Sequence, residues 1–382
     1  MRILILNYEH PPIGGGGGRL AAKVGAGLAA RGHRVRVLTC GMTHLPVEAV
    51  EEGMEIRRLR AFRQREDTCS IPEMAAWVVT AVPAAIREIR RWKPDVIHVH
   101  FAVPTGAVAW VSHQATGVPY VLTAHLGDVP GGVPEQTGNL FRWIKAMTVP
   151  IWKNAAAVTA VSSFVAGLAR EAYDLNPEVI LNGITLPSSP KLEACQSVRL
   201  LMVGRMSLQK NPLLAVRALG LLREMPWQCT VIGDGPLLEE AKTEAFRIGI
   251  SDRIFFPGWL SASKVAEAMD QSAVLLIPSL SEGLPMVAIE ALAHGLAIVG
   301  SRIGGLADVV VDEVNGRLFD LSDGPEGMTE ALRSLLLDPQ VLLAARNASL
   351  SMAPKFDIER SLDGYESVLK AAVGEGNVKV PD

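Results

Sequence analysis

The stretch VLLIPSLSEGLPMVAIEALAHG, residues 274–295, decides the fold. The run 274–278 is short, unbroken and apolar, the pattern of a strand buried on both faces of a parallel sheet. The next seven residues, Ser279 to Pro285, form a loop, and an apolar helix follows that stops at Gly295. Pro285 fits the first helical turn, and the free N–H groups around Leu284, Met286 and Val287 point back into the loop, where they can hold an anion. Glu282 falls at the mouth of that loop. Glu290 lies inside the helix, where its carboxylate can accept two hydrogen bonds from vicinal hydroxyls such as those of a ribose. The preference of a helix start for acids explains Glu282 equally well, but not Glu290.

The same alternation of strand and helix runs outward in both directions. Strands read at 200–203, 229–232, 254–256 and 297–300, and in the first half at 2–7, 34–40, 96–100, 120–125, 157–161 and 179–181. Helices read at 20–31, closed by Gly32, and at 75–92, ended by Pro94. The class is α/β, with two nucleotide-fold domains in tandem at 1–185 and 186–355. A helix over 356–373 is expected to dock back on the first domain. The segment 182–197, with Gly183, Pro187, Ser188, Ser189 and Pro190, lacks periodicity and reads as a hinge.

A length of 382 residues, with 49% hydrophobic and 20% charged, supports two cores and excludes a disordered chain. Lys and Arg total 37 against 40 Asp and Glu, so no overall basic field invites nucleic acid. The first 190 residues carry 19 basic and 15 acidic side chains and the remainder 18 and 25, so the first half is the one suited to an anionic partner. Cys40, Cys69, Cys195 and Cys229 are too scattered for a disulfide framework or a zinc site, which suggests a reducing, cytoplasmic setting. The opening MRILILNYEH lacks the features of a secretion signal. The longest apolar stretch, 74–86, is broken by Pro83 and falls short of the roughly 20 residues a spanning helix needs. Peripheral attachment at the inner membrane surface stays open. Arg57, Arg58, Arg60, Arg63, Arg65, Arg87, Arg90, Arg91 and Lys93 could meet a phosphorylated acceptor or an anionic membrane. They could equally form a solvated face, since Glu55, Glu66, Asp67 and Glu88 are interspersed.

Four further constellations stand at strand ends. Gly14 to Gly18 lie between the first strand and its helix, where backbone N–H groups approach an anion. The loop fits neither GxGxxG nor GxxxxGK[ST], and no acid ends the second strand, so a nicotinamide cofactor is disfavoured. Gly204-Arg205 and Lys210-Asn211 place two cations five residues apart after a strand, which suits a diphosphate. Gly233-Asp234-Gly235-Pro236 is a turn able to pass close to a base. His125 and Asp128 end another strand, while His98 and His100 share a strand face and read as packed side chains, not metal ligands.

Together the glycine loop, Arg31-Gly32-His33, Asn182-Gly183-Ile184, Gly204-Arg205 with Lys210-Asn211, Gly233-Asp234-Gly235-Pro236 and Glu282-x7-Glu290 resemble the retaining nucleotide-sugar glycosyltransferases of family four, over residues 1 to about 373. The resemblance implies the GT-B fold, with two Rossmann-like domains facing across a cleft. The family's paired loop glycines fall on Gly15 and Gly16, beside Gly17. It further implies that Arg205 and Lys210 bind the diphosphate, Glu290 the ribose, Glu282 and His125 the transferred sugar, and the amides from Leu284 through Pro285 to Met286 the phosphate, with Gly233 and Gly235 near the donor. The chain departs from the family pattern at Thr185, after Ile184, and at Asp308, after Ala307.

The expected activity is transfer of a sugar from a UDP- or GDP-type donor to a hydroxyl acceptor, with retention, in polysaccharide, glycolipid or glycoside synthesis. No cofactor is expected. No Asp-x-Asp motif occurs, and Arg205 with Lys210 can neutralise the charge that a metal handles elsewhere, so no obligatory metal is expected either. The alternatives are a nucleotide-sugar epimerase of similar fold and a non-catalytic nucleotide-sugar binder.

Overall fold

The computed structural model describes residues 1–60, 62–66, 69–187, 192 and 198–376. Residues 188–191 and 193–197 of the expected hinge lie outside the described residues, as do Asp67 and Cys195. The chain divides into two compact units, one of residues 1–183 with the C-terminal helix from Ile358, the other Ile184–Asp357.

The sheet of the first unit holds β1 (Arg2–Leu6), β2 (Arg34–Gly41), β3 (Glu48–Glu51), β4 (Met54–Arg60), β5 (Val96–His100), β6 (Tyr120–Ala124), β7 (Ala157–Ala160) and β8 (Glu178–Val179). Among the described residues their order is β3-β4-β2-β1-β5-β6-β7-β8, parallel except where β3 meets β4. Its helices are α1 (Gly16–Ala30), α2 (Ile71–Trp92), α3 (Ala107–Thr116), α4 (Pro134–Lys153) and α5 (Ser163–Tyr173). Strands β1 and β5 are central and buried on both faces, which is why their sequences are apolar without alternation.

The second unit is parallel throughout. It comprises β9 (Val198–Val203), α6 (Pro212–Gly220), β10 (Trp227–Ile232), α7 (Leu238–Arg247), β11 (Ile254–Gly258), α8 (Ala262–Asp270), β12 (Val274–Ile277), α9 (Met286–Ala293), β13 (Ala297–Ser301), β14 (Gly316–Phe319), α10 (Gly324–Leu336) and α11 (Pro339–Met352). The order is β11-β10-β9-β12-β13-β14. The chain winds outward from β9, then returns to place β12 on the other side of it. The first unit reverses in the same way between β1 and β5. Such reversals part the loops at the carboxyl ends of the two central strands and open a crevice for ligands.

The sequence reading differs from the structure at three places. Strands β3 and β4 went unread because their alternating charged residues mark a half-exposed sheet edge, and β14 because it is only four residues long. Helix α1 starts at Gly16 rather than 20, since glycine tolerates helical backbone although it does not favour it. Pro285 precedes α9 as its extended N-cap instead of occupying the first turn, and its carbonyl accepts from the N–H groups of Ala288 and Ile289.

The final helix, α12 (Ile358–Gly376), belongs to the first unit and lies along α1. Gly27 is the contact point, for a Cβ there would overlap the Leu362 side chain. Arg31 at the end of α1 then pairs with Glu359 at 2.6 Å, Asp363 at 2.8 Å and Glu366 at 3.0 Å. The aligned Arg31 and Leu362 contacts fix the helix. Truncating buried Leu362 to Ala should cost about 2–5 kcal/mol, read from denaturant unfolding followed by tryptophan fluorescence. A midpoint within error of wild type would show that α12 is not part of the first core.

Candidate functional site

In the second unit the loops after β9 and β12 meet across the strand reversal. Lys210 Nζ lies 2.6 Å from Glu282 Oε1, and Ser279 Oγ donates to the same oxygen at 2.7 Å. Glu282 is buried, at 5% exposure, and these two donors compensate its lost hydration. Backbone pairing reinforces the junction: Leu280 N–H donates to Gln209 O at 2.7 Å, and Gln209 Nε2 to Ser281 O at 3.0 Å. A third loop closes in where Gly305 N–H donates to Glu282 O. A Cβ on Gly305 would overlap the Gly283 carbonyl, so only glycine permits that approach.

Glu282 therefore sits inside the loop, bound to Lys210, and not at its open mouth as the sequence suggested. Gly233 (φ 138°) and Gly235 (φ 149°) have left-handed backbones pressed on the β9 loop, where side chains would overlap the carbonyls of Gly204 and Met206. The two glycines hold two loops together. Arg205 is half-buried beside them, and Glu290 is half-buried on α9. Leu284 and Pro285 are buried ahead of Met286, so the first N–H groups of α9 face the crevice end of the sheet.

In the first unit the strand reversal brings the glycine loop to the ends of β5 and β6. A Cβ on Gly17 would collide with Phe101 and approach His125 Nδ1 to 3.2 Å. Gly14 and Gly15 have protein partners already, their N–H groups donating to Glu66 O at 2.8 Å and Glu9 Oε2 at 3.1 Å. The helix then begins at Gly16. His125 stacks on Phe101 with centroids 4.3 Å apart, its Nε2 lies 3.3 Å from His100 Nδ1, and its N–H donates to Asp128 Oδ2 at 2.9 Å. Phe101 adopts φ 71°, a strained backbone for an aromatic residue, and that strain delivers the ring to the histidine.

Burial dominates the titration here. It pushes His125 down to about 4 and His98 to about 3, and holds His100 well below its usual value, so all three imidazoles are neutral at pH 7. It pushes Asp128 up to about 7. Among the described residues, no group of three His, Cys, Asp or Glu side chains could hold a metal ion.

Of the basic residues read as one face, the structure removes three. Arg58 is buried and pairs with Glu51 at 2.6 Å; Arg63 is buried over the Tyr8 ring; Arg57 pairs with buried Glu88 at 3.0 Å. Arg57 reaches Glu88 because β4 lies against α2, and Arg58 reaches Glu51 across the β3–β4 pair, relations that sequence neighbours do not reveal.

Two family models match the chain in tandem, one for glycosyltransferase family 4 over residues 14–186 and one for glycosyl transferases group 1 over 191–351. The chain belongs to the group 1 glycosyltransferases. The glycogen synthase of Mycobacterium tuberculosis is 29% identical to it over 97% of this chain and 95% of its own length. The 2-deoxystreptamine glucosyltransferase of Streptomyces kanamyceticus is 27% identical over 90% and 96%. The sucrose-phosphate synthase of Thermosynechococcus elongatus superposes with a TM-score of 0.82 at 21% identity, covering 98% of this chain and 99% of that one. Anabaena HepE, solved in complex with UDP-glucose, superposes at 0.76 with 18% identity over 97% and 100%. The fold of this glycosyltransferase is GT-B, with two parallel-sheet α/β units.

Sequence reasoning about this glycosyltransferase missed Ser279, Gln209 and Gly305 as supports of Glu282, and Phe101 and Glu9 as neighbours of the glycine loop. Ser279 had a signal in its spacing three residues before the acid. Phe101 had none, since its role depends on a backbone angle.

The three buried histidines at this site set an acid limit. Unfolded imidazoles protonate near pH 6.5 while the folded ones resist, so the unfolded state binds more protons and stability falls as pH drops from 6.5 toward 4. Asp128, whose pKa is raised, acts in the opposite sense. Each histidine contributes a slope of about 1.4 kcal/mol per pH unit. His100→Asn should make the slope shallower by about that amount in urea unfolding across this range, and an unchanged slope would mean that His100 titrates normally in the folded chain.

Proposed function

We propose that this glycosyltransferase transfers a sugar from a nucleoside diphosphate sugar, of UDP or GDP type, to a hydroxyl acceptor, with retention and without an obligatory metal. The observation that carries the reading is the junction of Lys210, Glu282 and the start of α9 at the carboxyl ends of β9 and β12. The complex of the structural relative HepE with UDP-glucose supports the uridine donor class.

Cleavage of the sugar–phosphate bond leaves negative charge on the departing diphosphate. Lys210 has three donors and Glu282 takes one, so the others remain for phosphate, joined by Arg205 and the amides of Met286 and Val287. Glu290 accepts from the ribose hydroxyls. Among the described residues, Lys210 and Ser279 both contact Glu282 at Oε1, which leaves Oε2 for a sugar hydroxyl. His125, neutral and buried, contacts the sugar as a hydrogen-bonding group instead of a cation. Gly15, Gly16 and Gly17 leave room for substrate beside it, while Gly233 and Gly235 shape the donor loop. The acceptor belongs to polysaccharide, glycolipid or glycoside synthesis, the range that the relatives' names span.

Arg205→Ala and Lys210→Ala should each lower kcat/KM by on the order of a hundredfold, the usual loss on removing one preorganised electrostatic group. Glu290→Gln should chiefly weaken nucleotide affinity, and Glu282→Gln should impair use of the intact donor more than binding of free nucleoside diphosphate. Nucleotide release from a panel of uridine, guanosine and adenosine diphosphate sugars, with calorimetry on the folded variants, tests all four. Wild-type behaviour in every variant would overturn the assignment. Conversion of the donor to an isomeric nucleotide sugar without free nucleotide would favour an epimerase, binding of the donor without turnover would favour a binder, and complete loss in excess chelator, restored by magnesium or manganese, would overturn metal independence.

A further inference from the structure

Helix α2 breaks the rule that a surface helix turns charge toward water. Between Glu73 and Arg87 it has no charged residue, although only its inner face, with Trp77, Ala81, Ala85 and Ile89, and its flanks, with Met74, Val78, Val82 and Ala84, pack on the core. The outward face of the same turns is apolar. Ile71 is 59% exposed and Val79 73%, and Ala75 and Pro83 are exposed between and beyond them. These positions recur every four residues, which at 3.6 residues per turn makes one slowly drifting stripe along the helix. Thr80, the single polar side chain in the stretch, turns its hydroxyl back on the Ala76 and Trp77 carbonyls.

The stripe ends in cations. Pro83, Ile86, Arg87, Arg90 and Arg91 line one shallow depression, and Lys93 follows. No ion pair among the described residues holds the three arginines. The acid among them, Glu88, is turned inward and is held by Arg36 and Arg57. At the other end Glu73 is occupied in capping, accepting from the N–H groups of Ser70 and of Gln64 at 2.9 Å. That last bond ties the preceding loop to the helix start, and two residues before Gln64 stands Phe62, 84% exposed.

The geometry points to α2 as an interfacial helix that lies on an anionic lipid bilayer, its stripe of Ile71, Ala75, Val79 and Pro83 in the headgroup boundary and Arg87, Arg90 and Arg91 on lipid phosphates. Charge complementarity selects this occupant. An outward apolar face with cations and no facing acid matches a negatively charged, apolar-cored surface, whereas a second copy of α2 would set arginine near arginine. Among the described residues no helix is long and apolar enough to cross a membrane, and the inner face of α2 is committed to the protein core, so it lies flat.

Co-sedimentation of the full chain with phosphatidylcholine vesicles, with and without phosphatidylglycerol, tests this independently of sugar transfer. The wild type should partition onto the anionic vesicles, less so at high salt, and not onto the neutral ones. Replacing Arg87, Arg90 and Arg91 by Gln should lower partitioning about fivefold per residue, roughly a hundredfold together. Val79→Asp, an exposed change that leaves the core intact, should lower it on the order of tenfold at any salt. Equal binding to neutral vesicles, or no loss in either variant, would overturn the proposal. Loss in the arginine variant alone would overturn the stripe as an inserting face. Self-association without vesicles that Val79→Asp abolishes would reassign the face to a second copy. Donor-driven nucleotide release, measured on the same samples without lipid, reports on the proposed transfer separately.

Discussion

A buried carboxylate cannot stand alone, and the second unit is arranged around that constraint. Glu282 loses nearly all contact with water, so the loops after β9 and β12 must bring donors to it, Lys210 Nζ from one and Ser279 Oγ from the other. Leaving it unpartnered would cost several kcal/mol, enough to reorder a loop. The ion pair thus does in side chains what the parallel sheet does in backbone, fixing two crossover loops against each other at the strand reversal. Gly233, Gly235 and Gly305 follow from the same demand, since loops held this close leave no space for a Cβ.

The first unit solves a similar problem with neutral groups. Its crevice-end histidine is held by a stacked ring, a second imidazole and a backbone bond to Asp128, and burial keeps all the imidazoles uncharged. The rings behind it continue to the C-terminal helix, where Tyr365 lies 5.2 Å from His98. A helix that returns after the whole second unit therefore helps to form the wall behind His125. Its clasp through Arg31 and Gly27 is more than the tidying of a chain end.

The sheets were legible because central parallel strands announce themselves as unbroken apolar runs, and the SEGLP loop because strand, loop and helix follow one another without a gap. Legibility fell where partners are distant in sequence. Arg57 and Arg58 look like surface cations until β4 is set against α2 and β3, where Glu88 and Glu51 meet them. The glycine run read as a loop whose N–H groups approach an anion, yet from Gly16 it is helix, with packing on Glu9 and Phe101 overriding glycine's weak helical preference. Glu282, read at the mouth of its loop, lies buried within it, since nothing near it in sequence says that Lys210 will arrive.

That pairing bears on the proposed chemistry. A lysine that must find its geometry when charge develops would lose stabilisation to reorganisation; one already bonded to a carboxylate and braced by Gln209 is in position beforehand. The same pairing reduces the net positive charge that Lys210 would offer a diphosphate, so in the proposed site ground-state binding would fall also to backbone amides and Arg205. On the proposed reading, such a site would reserve part of its interaction for the departing group, and that difference between ground and transition state is the part that would accelerate transfer.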